Sequence, residues 1–292
     1  MRQAKNFNIF LLPTILFFTL FTVFPFLYGI GLSFTDFSLR SEKSLSFIGI
    51  SNYSKLLSDQ LFQIAFKNTI IVVFIATALE VILGFILASI LYNYIGKLKK
   101  QIQTLLILPM AMAPVAIALM WKYMFNTTYG VINYLIGLIG IQSVDWLGSS
   151  KWALISVIIV DVWQWTPFIF IIILAGFESI PHQIIEMGMV DGASRFQLSR
   201  LFILPHLRAF IIVALLLRMI DALKLFDKVY VLTGGGPGSA TETLSLLGYR
   251  LGFQFFETGL AAAESIILLV FIVSLTYFVM RMIRQVIKKV SA

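Results

Sequence analysis

The stretch IPHQIIEMGMVDGASRFQLSRLFILP, residues 180–205, is a polar interruption in a chain that is otherwise mostly apolar. Pro181 favours the first turn of a short helix, because its φ is preset to the helical value. Asp191-Gly192 predicts a turn, since glycine adopts positive φ without steric cost. Ser194 is a suitable cap for a second helix that runs to the end of the stretch. Two short helices held outside the bilayer between two spans are expected to bind a partner.

The composition indicates that the rest of the chain crosses a membrane. Hydrophobic residues make up 59% of the 292 residues, charged residues only 12%, and the mean hydropathy is +0.94. Soluble domains carry about 25% charged residues, so about half of the expected charge is missing. In a membrane protein the location of the charges matters more than their sum, and the net charge of +8 therefore does not indicate a nucleic-acid partner. The chain has no Cys and two His, at 182 and 206. This excludes Cys-ligated metal and disfavours an imidazole metal site.

Six segments are long and apolar enough to cross the hydrocarbon core, which takes roughly 20 residues. The first exceeds the apolar region of a signal peptide and lacks a small-residue cleavage site, so we expect it to be retained. We predict a single all-α polytopic domain over residues 1–292, with a polar loop at 177–204. The six predicted transmembrane helices cover residues 9–34, 66–95, 102–124, 152–176, 205–226 and 259–281.

The distribution of Lys and Arg predicts the orientation of these spans. If the N-terminus is cytoplasmic, twelve of the 22 Lys and Arg fall in cytoplasmic segments and seven in the longer loops of the opposite side. Both termini and the 177–204 loop are therefore expected in the cytoplasm. The basic tail RMIRQVIKKV, residues 281–290, suits an anionic inner leaflet. Since no GxxxxGK[ST] phosphate loop is present, the energy for any active process must come from another protein.

Ionisable residues within the spans are costly, and by default they indicate function. Arg218 and Asp221 continue at three-residue spacing into Lys224 and Asp227, which on a helix gives neighbouring side chains. This row is either a self-neutralised ladder or a polar stripe along a water-accessible cavity. The ionisable residues within the predicted spans are Glu80, Asp161, Arg218, Asp221 and Glu264.

Span four combines aromatic and hydrogen-bonding side chains around a proline, in the run Trp163, Gln164, Trp165, Pro167 and Phe168. Tryptophans near span ends commonly form an interfacial belt, but these lie well inside the segment. Aromatic faces beside a few directional polar groups suit a sugar-like ligand. The glycine-rich segment TGGGPGSATETL, residues 233–244, predicts an irregular loop. It follows no strand, so we do not expect it to bind nucleotide.

Taken in order, these motifs resemble the permease subunits of binding-protein-dependent ABC importers of the carbohydrate-uptake type, as in the maltose and glycerol-3-phosphate systems. LTGGGPGSATETL at 232–244 resembles the first permease subunit of those heterodimers more than the second, and GLAAAES at 259–265 is a further landmark. Met187 and Gly188 replace the two alanines of the cytoplasmic pattern E-A-A-x-x-x-G while the spacing is kept. The residues that match this pattern or follow it closely are Glu186, Met187, Gly188, Asp191 and Gly192, followed by Leu204-Pro205.

The resemblance implies a non-catalytic translocation subunit of a bacterial or archaeal cytoplasmic membrane. The helix in 180–192 would be a coupling helix in a cleft of an ATPase subunit, moved as a rigid body when two such subunits close on ATP. The implied partners are a second, homologous permease subunit, two ATP-binding subunits that hold the ATP and Mg²⁺, an extracytoplasmic solute-binding protein, a sugar and membrane lipid. The resemblance implies no cofactor or metal in this chain.

Matching the motifs also implies a substrate pathway. Arg218 can bind a carboxylate or phosphate bidentately, which is compatible with an anionic sugar derivative. If Asp221 neutralises this arginine, a neutral saccharide is the better ligand, and we prefer the neutral one. The implied pathway residues are Gln164, Trp165, Phe168, Arg218, Asp221, Ala222 and Leu225.

Three other hypotheses are compatible with some of these features. An ABC permease for glycerol phosphate, amino acids or peptides would share a form of the cytoplasmic pattern. A secondary transporter would use intramembrane carboxylates for ion coupling, but it typically has more spans, built as internal repeats. A membrane enzyme would need clustered His, Asp or metal-ligand motifs at one interface, and the sequence has none.

Overall fold

The computed structural model describes residues 11–40, 45–94 and 96–288. Regular structure in this part of the chain is helical, with one isolated antiparallel bridge between Thr35 and Phe47. The helices are α1 (Leu11–Ser33), α2 (Ser51–Ser58), α3 (Gln60–Asn93), α4 (Lys99–Ala111), α5 (Pro114–Met124), α6 (Val131–Leu138), α7 (Ser150–Glu178), α8 (His182–Val190), α9 (Arg195–Leu198), α10 (Leu204–Ala222), α11 (Asp227–Leu232), α12 (Leu244–Tyr249) and α13 (Thr258–Lys288).

Within the described residues, five helices are long and apolar enough to cross a membrane, and each corresponds to a predicted span. Three of them are α1, α3 and α7. The fourth, Phe196–Ala222, joins α9 to α10 through the π-helical turn Ser199–Ile203. The fifth is the Thr258–Arg281 part of α13.

The span predicted at 102–124 is not one continuous helix. It consists of α4 and α5, which meet at an angle of 95°. Pro109 lies inside α4 and Pro114 opens α5, with Met112 and Ala113 between the helices in extended conformation. The bend follows because proline removes a helical hydrogen bond and biases the residue before it towards extended φ and ψ.

The polar stretch contains the two predicted helices, although their ends differ. Pro181 occupies the N-cap position of α8, directly before the first turn in which it was predicted. Gly192 has φ +73°, as predicted for the turn. The predicted cap of the second helix is confirmed, because Ser194 Oγ accepts from the Gln197 amide at 3.3 Å and Gln197 Oε1 accepts from the Ser194 amide at 2.8 Å. This reciprocal pair is a capping box. The helix then continues through Pro205 into α10.

The chain divides into two compact units, while its predicted grouping as one transmembrane domain stays a prediction. The described part of the first unit, Met1–Gln63 with Leu247–Phe271, contains α1, α2 and the loop after α1. Buried Asn52 holds this loop by donating to the carbonyls of Ser33 at 2.9 Å and Thr35 at 2.8 Å. A buried amide with two partners fixes the loop at the end of α1.

The second unit, Ile64–Leu246 with Ile272–Ala292, is built around α7. This helix is the most deeply buried of the five candidate spans. Gly84 of α3 lies directly against it, because a Cβ added at Gly84 would be 2.8 Å from Ile169 Cγ2 and 3.0 Å from the Phe170 amide nitrogen. Small residues at such contacts allow two membrane helices to approach closely. The buried apolar core of this unit is Ala88, Leu91, Ile169, Phe170, Ile173, Leu174, Phe177, Ile180, Leu207 and Ala214.

The glycine-rich segment forms an ordered loop in the second unit. The buried Asn68 side chain of α3 donates to the carbonyls of Ser239, Ala240 and Glu242 at 3.0–3.2 Å. Thr69 Oγ1 accepts from the Leu244 amide at 3.0 Å. Two adjacent polar residues of α3 therefore hold a loop about 170 positions further along the chain.

We expect Gly84→Ala to lower the free energy of unfolding by about 1–3 kcal/mol, because the added methyl would overpack the contact with α7. Gly137→Ala in α6 is the matched control, since its Cβ would have no neighbour within 4 Å. Alanine there is expected to be neutral or stabilising by about 0.5–1 kcal/mol. Thermal unfolding of the two purified variants measures the difference, and equal stabilities would contradict the close helix contact.

Candidate functional site

The centre of the second unit is a buried ion-pair cluster around Arg218 of α10. The Arg218 side chain is 1% exposed, and its Nε lies 2.7 Å from Glu80 Oε2. Its Nη2 donates to Glu80 Oε1 at 3.1 Å and also contacts Asp161 Oδ2. Arg218 is therefore held by carboxylates from α3 and α7. Charge pairing of this kind is what ionisable residues inside a membrane span require.

Lys228 of α11 completes the cluster. Its Nζ donates to Asp161 Oδ1 at 2.5 Å, and both side chains are almost fully buried. Both cations also lie against the indole ring of Trp165, with Arg218 Cζ at 5.3 Å and Lys228 Nζ at 5.8 Å from the ring centroid. A cation at this distance from a tryptophan face is attracted by the ring quadrupole. The cluster therefore connects α3, α7, α10 and α11 and positions Trp165.

The predicted charge row is only partly helical. Asp221 lies one turn after Arg218 and accepts from its Nη1 at 3.2 Å. Lys224 Nζ is 4.0 Å from Asp221 Oδ1, but α10 ends at Ala222, so Lys224 and Asp227 lie beyond it. The neutralisation of Arg218 by carboxylates supports the hypothesis of a self-neutralised ladder. The half-exposed side chain of Asp221 supports the hypothesis of a polar stripe along a cavity.

A cavity of about 120 Å³ borders the cluster. This volume accommodates several water molecules. Its polar lining places charged groups beside the indole of Trp165, an arrangement suited to a small polar ligand. Its lining residues are Pro114, Trp165, Arg218, Asp221, Lys224, Leu225, Phe226, Asp227 and Lys228.

Four of the seven predicted pathway residues line this cavity, namely Trp165, Arg218, Asp221 and Leu225. Gln164 is buried beside the bend between α4 and α5, where its Nε2 donates to the Met112 carbonyl at 3.3 Å. Phe168 contacts Trp165 edge-on at 6.1 Å and packs against the apolar core. Ala222 is buried. These three residues do not line the cavity.

Two features of the site were missed by sequence reasoning. Lys228 was not assigned to the site, although it is the neighbour of Asp227, the last residue of the charge row. Glu80 and Asp161 were recognised as costly charges, but their pairing with Arg218 spans 138 and 57 positions. The sequence signal for this pairing was the excess of carboxylates over cations within the predicted spans, because buried charges are usually paired.

The remaining intramembrane charge, Glu264, lies in the first unit and is 2% exposed. Its Oε1 has no hydrogen-bond partner among the residues that the structure describes. Over the same residues, no group of three or more His, Cys, Asp or Glu is arranged to hold a metal ion.

The residues matched to the pattern E-A-A-x-x-x-G lie on α8 and the turn after it. Glu186 and Met187 are exposed, with Met187 60% exposed. Gly188 faces the following helix, because an added Cβ would be 3.0 Å from Leu198 Cδ2 and 3.3 Å from Phe202. The departure from alanine at this position is therefore explained by close packing within the element. Asp191 is the C-cap residue directly after α8, and Gly192 makes the left-handed turn.

The fold and this cluster define a polytopic helical membrane protein with a charged cavity of about 120 Å³ beside α7. Residues 80–289 match the family model described as binding-protein-dependent transport system inner membrane component. The chain belongs to this family of ABC transporter permeases and is a multi-pass protein of the cytoplasmic membrane.

Relatives extend the similarity to nearly the whole chain. The chain is 36% identical over 276 residues to the trehalose/maltose transport system permease protein MalF of Thermococcus litoralis, covering 94% of this chain and 92% of that protein. It is 30% identical over 274 residues to the sulfoquinovosyl glycerol transport system permease protein SmoG of Agrobacterium fabrum, covering 94% and 89%. A chain of a bacterial alginate ABC transporter, solved with an alginate-bound periplasmic protein, superposes with a TM-score of 0.85 at 26% identity, covering 98% and 96%.

We expect Arg218→Met to lower the free energy of unfolding by about 3–5 kcal/mol, because it leaves buried carboxylates without their cation. Lys224→Met is the matched control. That lysine is 58% exposed and 4.0 Å from its partner, so its loss is expected to cost less than about 1 kcal/mol. Thermal unfolding of the purified variants compares the two, and similar losses would show that the buried cluster is not a main stabilising feature.

Proposed function

We propose that this chain is the sugar-translocating permease subunit of an ATP-driven importer. The observation that carries the proposal is its full-length similarity to permeases named for trehalose, maltose and alginate transport. The cavity beside Trp165 supports it, since an aromatic face next to hydrogen-bonding groups suits a saccharide. The ligand would be an oligosaccharide or sugar derivative, and the pathway would use Trp165, Arg218, Asp221 and Leu225, with Gln164, Phe168 and Ala222 behind them.

In this proposal the chain spans the membrane six times, with both termini in the cytoplasm. The pair α4 and α5 would count as one broken span. Non-helical backbone at membrane depth is tolerated where it is buried in protein or lines a water-filled cavity. The bend borders the cavity through Pro114, and the Met112 carbonyl accepts from Gln164.

The coupling helix would be α8, docked in a cleft of the ATPase subunit. Its surface combines the exposed carboxylate of Glu186 with exposed apolar side chains at Met187, Met189 and Val190, the last of which is 88% exposed. Phe196, just beyond the turn, is 72% exposed. Exposed apolar groups of this kind typically mark a protein interface.

We expect α8 and the helix that follows it to move together as one rigid body. Gly188 packs against Leu198 and Phe202, and the capping box fixes the start of the second helix. Movement of α8 would therefore be transmitted along the continuous helix Phe196–Ala222 to Arg218 and the cavity. Closure of two ATPase subunits on ATP and Mg²⁺ would switch the access of the cavity between the cytoplasm and an extracytoplasmic solute-binding protein. The second permease subunit would complete the pathway, and this chain would hydrolyse nothing.

A permease for another solute class is the second candidate. The guanidinium of Arg218 at the cavity favours it, since this group binds carboxylates or phosphates. Glycerol phosphate, amino acids and peptides fall in this class. A secondary transporter is less favoured, because the membership in an ABC permease family implies an external ATPase.

We expect Glu186→Ala to abolish saccharide uptake by the reconstituted transporter, because it removes the carboxylate at the proposed ATPase contact. Gly192→Leu is expected to do the same, since a leucine at φ +73° strains the turn after α8. Delivery of saccharide by the binding protein should be unaffected, while ATP hydrolysis no longer responds to it. Radiolabelled uptake and ATP hydrolysis, measured on the same proteoliposomes, test the coupling.

Glu178→Ala is the control for that experiment, since Glu178 is also an exposed glutamate near α8 but ends α7. Its uptake is expected to stay within about twofold of the parent, as surface ion pairs contribute little. Uptake that persists without any ATPase subunit would exclude the importer, and uptake only of non-saccharide solutes would select the second candidate.

A further inference from the structure

We propose that α6 is an interfacial helix that lies in the membrane surface beside the start of α7 and contacts phospholipid. The contact is made by an outward apolar stripe formed by Val131, Tyr134, Leu135 and Leu138. The proposal goes beyond the proposed function, because its partner is lipid and not the saccharide or the ATPase. In the six-span topology proposed above, this is the extracytoplasmic surface of the membrane.

The side chains of α6 face the opposite way from those of a helix on a water-exposed surface. Such a helix turns its apolar side chains towards the protein and its polar side chains outward. In α6 the polar Asn133 is only 8% exposed, whereas the four apolar side chains of the stripe are between 43% and 67% exposed. Their spacing of i, i+3, i+4 and i+7 places them on one face of the helix. This outward face therefore suits an apolar environment and not water.

Asn133 fixes this orientation through three hydrogen bonds. Its Nδ2 donates to the Val144 carbonyl at 3.0 Å. Its Oδ1 accepts from the Val144 amide at 3.1 Å and from Trp146 Nε1 at 2.9 Å. Gly140, with φ +80°, ends the helix and lets the chain return to these contacts. Turning the stripe inward would break the bonds of a buried amide, which is unfavourable.

These contacts place α6 at the end of a membrane span. Trp146 packs edge-on against Trp152 in the first turn of α7, with ring centroids 5.3 Å apart. Ser156 Oγ, in the second turn, donates to the Trp146 carbonyl at 2.9 Å. The 29 residues of α7 exceed the roughly 20 that cross the hydrocarbon core, so its ends extend into the headgroup regions. Tryptophans are enriched at this level, and Asn133 connects α6 to it through Trp146.

The composition of the segment favours lipid over a soluble partner. Residues 123–144 contain no Asp, Glu, Lys, Arg or His. Soluble partners are steered and oriented by complementary charges, which this surface lacks. The exposed tyrosines 123, 129 and 134 combine an apolar ring with a polar hydroxyl, as suits the membrane interface. The exposed side chains of Ile139 and Ile141 extend the apolar surface beyond the end of α6.

Fluorescence quenching measures the proposed contact, because the chain has no cysteine of its own. Leu138→Cys introduces a single thiol of this subunit on the stripe. Ser58→Cys, at an exposed polar position at the end of α2, is the aqueous control. Each thiol carries a nitrobenzoxadiazole fluorophore in the assembled transporter, with cysteine-free partners, in vesicles of phosphatidylcholine and phosphatidylglycerol. Phosphatidylcholine with a nitroxide near the top of its acyl chain quenches fluorophores that contact lipid, and iodide quenches those that contact water.

We expect the ratio of lipid quenching to iodide quenching to be at least about fivefold higher at position 138 than at position 58, because an interfacial helix buries its apolar face at the headgroup boundary. Equal ratios would overturn the proposal. Protection from both quenchers would assign the stripe to the second permease subunit and overturn it too. So would protection from iodide that appears only with the binding protein. If Leu138→Cys does not assemble, Tyr134→Cys on the same stripe replaces it.

Saccharide uptake by the parent complex in the same vesicles tests the proposed function separately, since lipid contact at α6 requires no substrate. Lipid quenching at position 138 without uptake of any saccharide in a panel would overturn the sugar function alone. Uptake together with equal quenching ratios would overturn the interfacial helix alone. Nitroxide lipid confined to the leaflet opposite the ATPase subunits is expected to quench as strongly as the same lipid in both leaflets. Quenching only from the ATPase side would contradict the proposed topology.

Discussion

The pairing of Arg218 inside the membrane is the interaction on which the rest of the second unit depends. An unpaired charge in hydrocarbon is costly, so the guanidinium requires carboxylates, and these come from α3 and α7. Lys228 then pairs with the remaining oxygen of Asp161 and fixes α11. Trp165, one helical turn after Asp161, is held under both cations. Satisfying one buried charge thus sets the positions of four helices and shapes the cavity between their polar residues.

The interruptions in the helices lie where the proposed function needs them. Met112 lies in the break between α4 and α5, and its carbonyl accepts from Gln164 of α7. The resulting bend places Pro114 at the cavity. At the other interruption, the turn at Gly192 lets α8 fold back on the helix that carries Arg218. A continuous helix thus connects the surface proposed for ATPase docking to the charged site.

Local features of this fold were predictable from the sequence, and long-range ones were not. The apolar segments, the turn at Gly192 and the cap at Ser194 follow from side-chain chemistry within a few residues, and the structure agrees with them. The 95° bend was missed because apolar composition alone does not distinguish a straight span from a broken one. The ion cluster was missed because the chain order does not reveal which of several costly charges meet. The role of Gly188 required knowledge of Leu198 as its neighbour.

A cryo-electron-microscopy structure of the assembled transporter, trapped with saccharide and its binding protein, tests the central claim most directly. We expect saccharide density against Trp165, Asp221 and Leu225, an intact Arg218 cluster behind it, and α8 seated in the ATPase subunit. Saccharide bound away from this cavity, or α8 free of the ATPase, would contradict it.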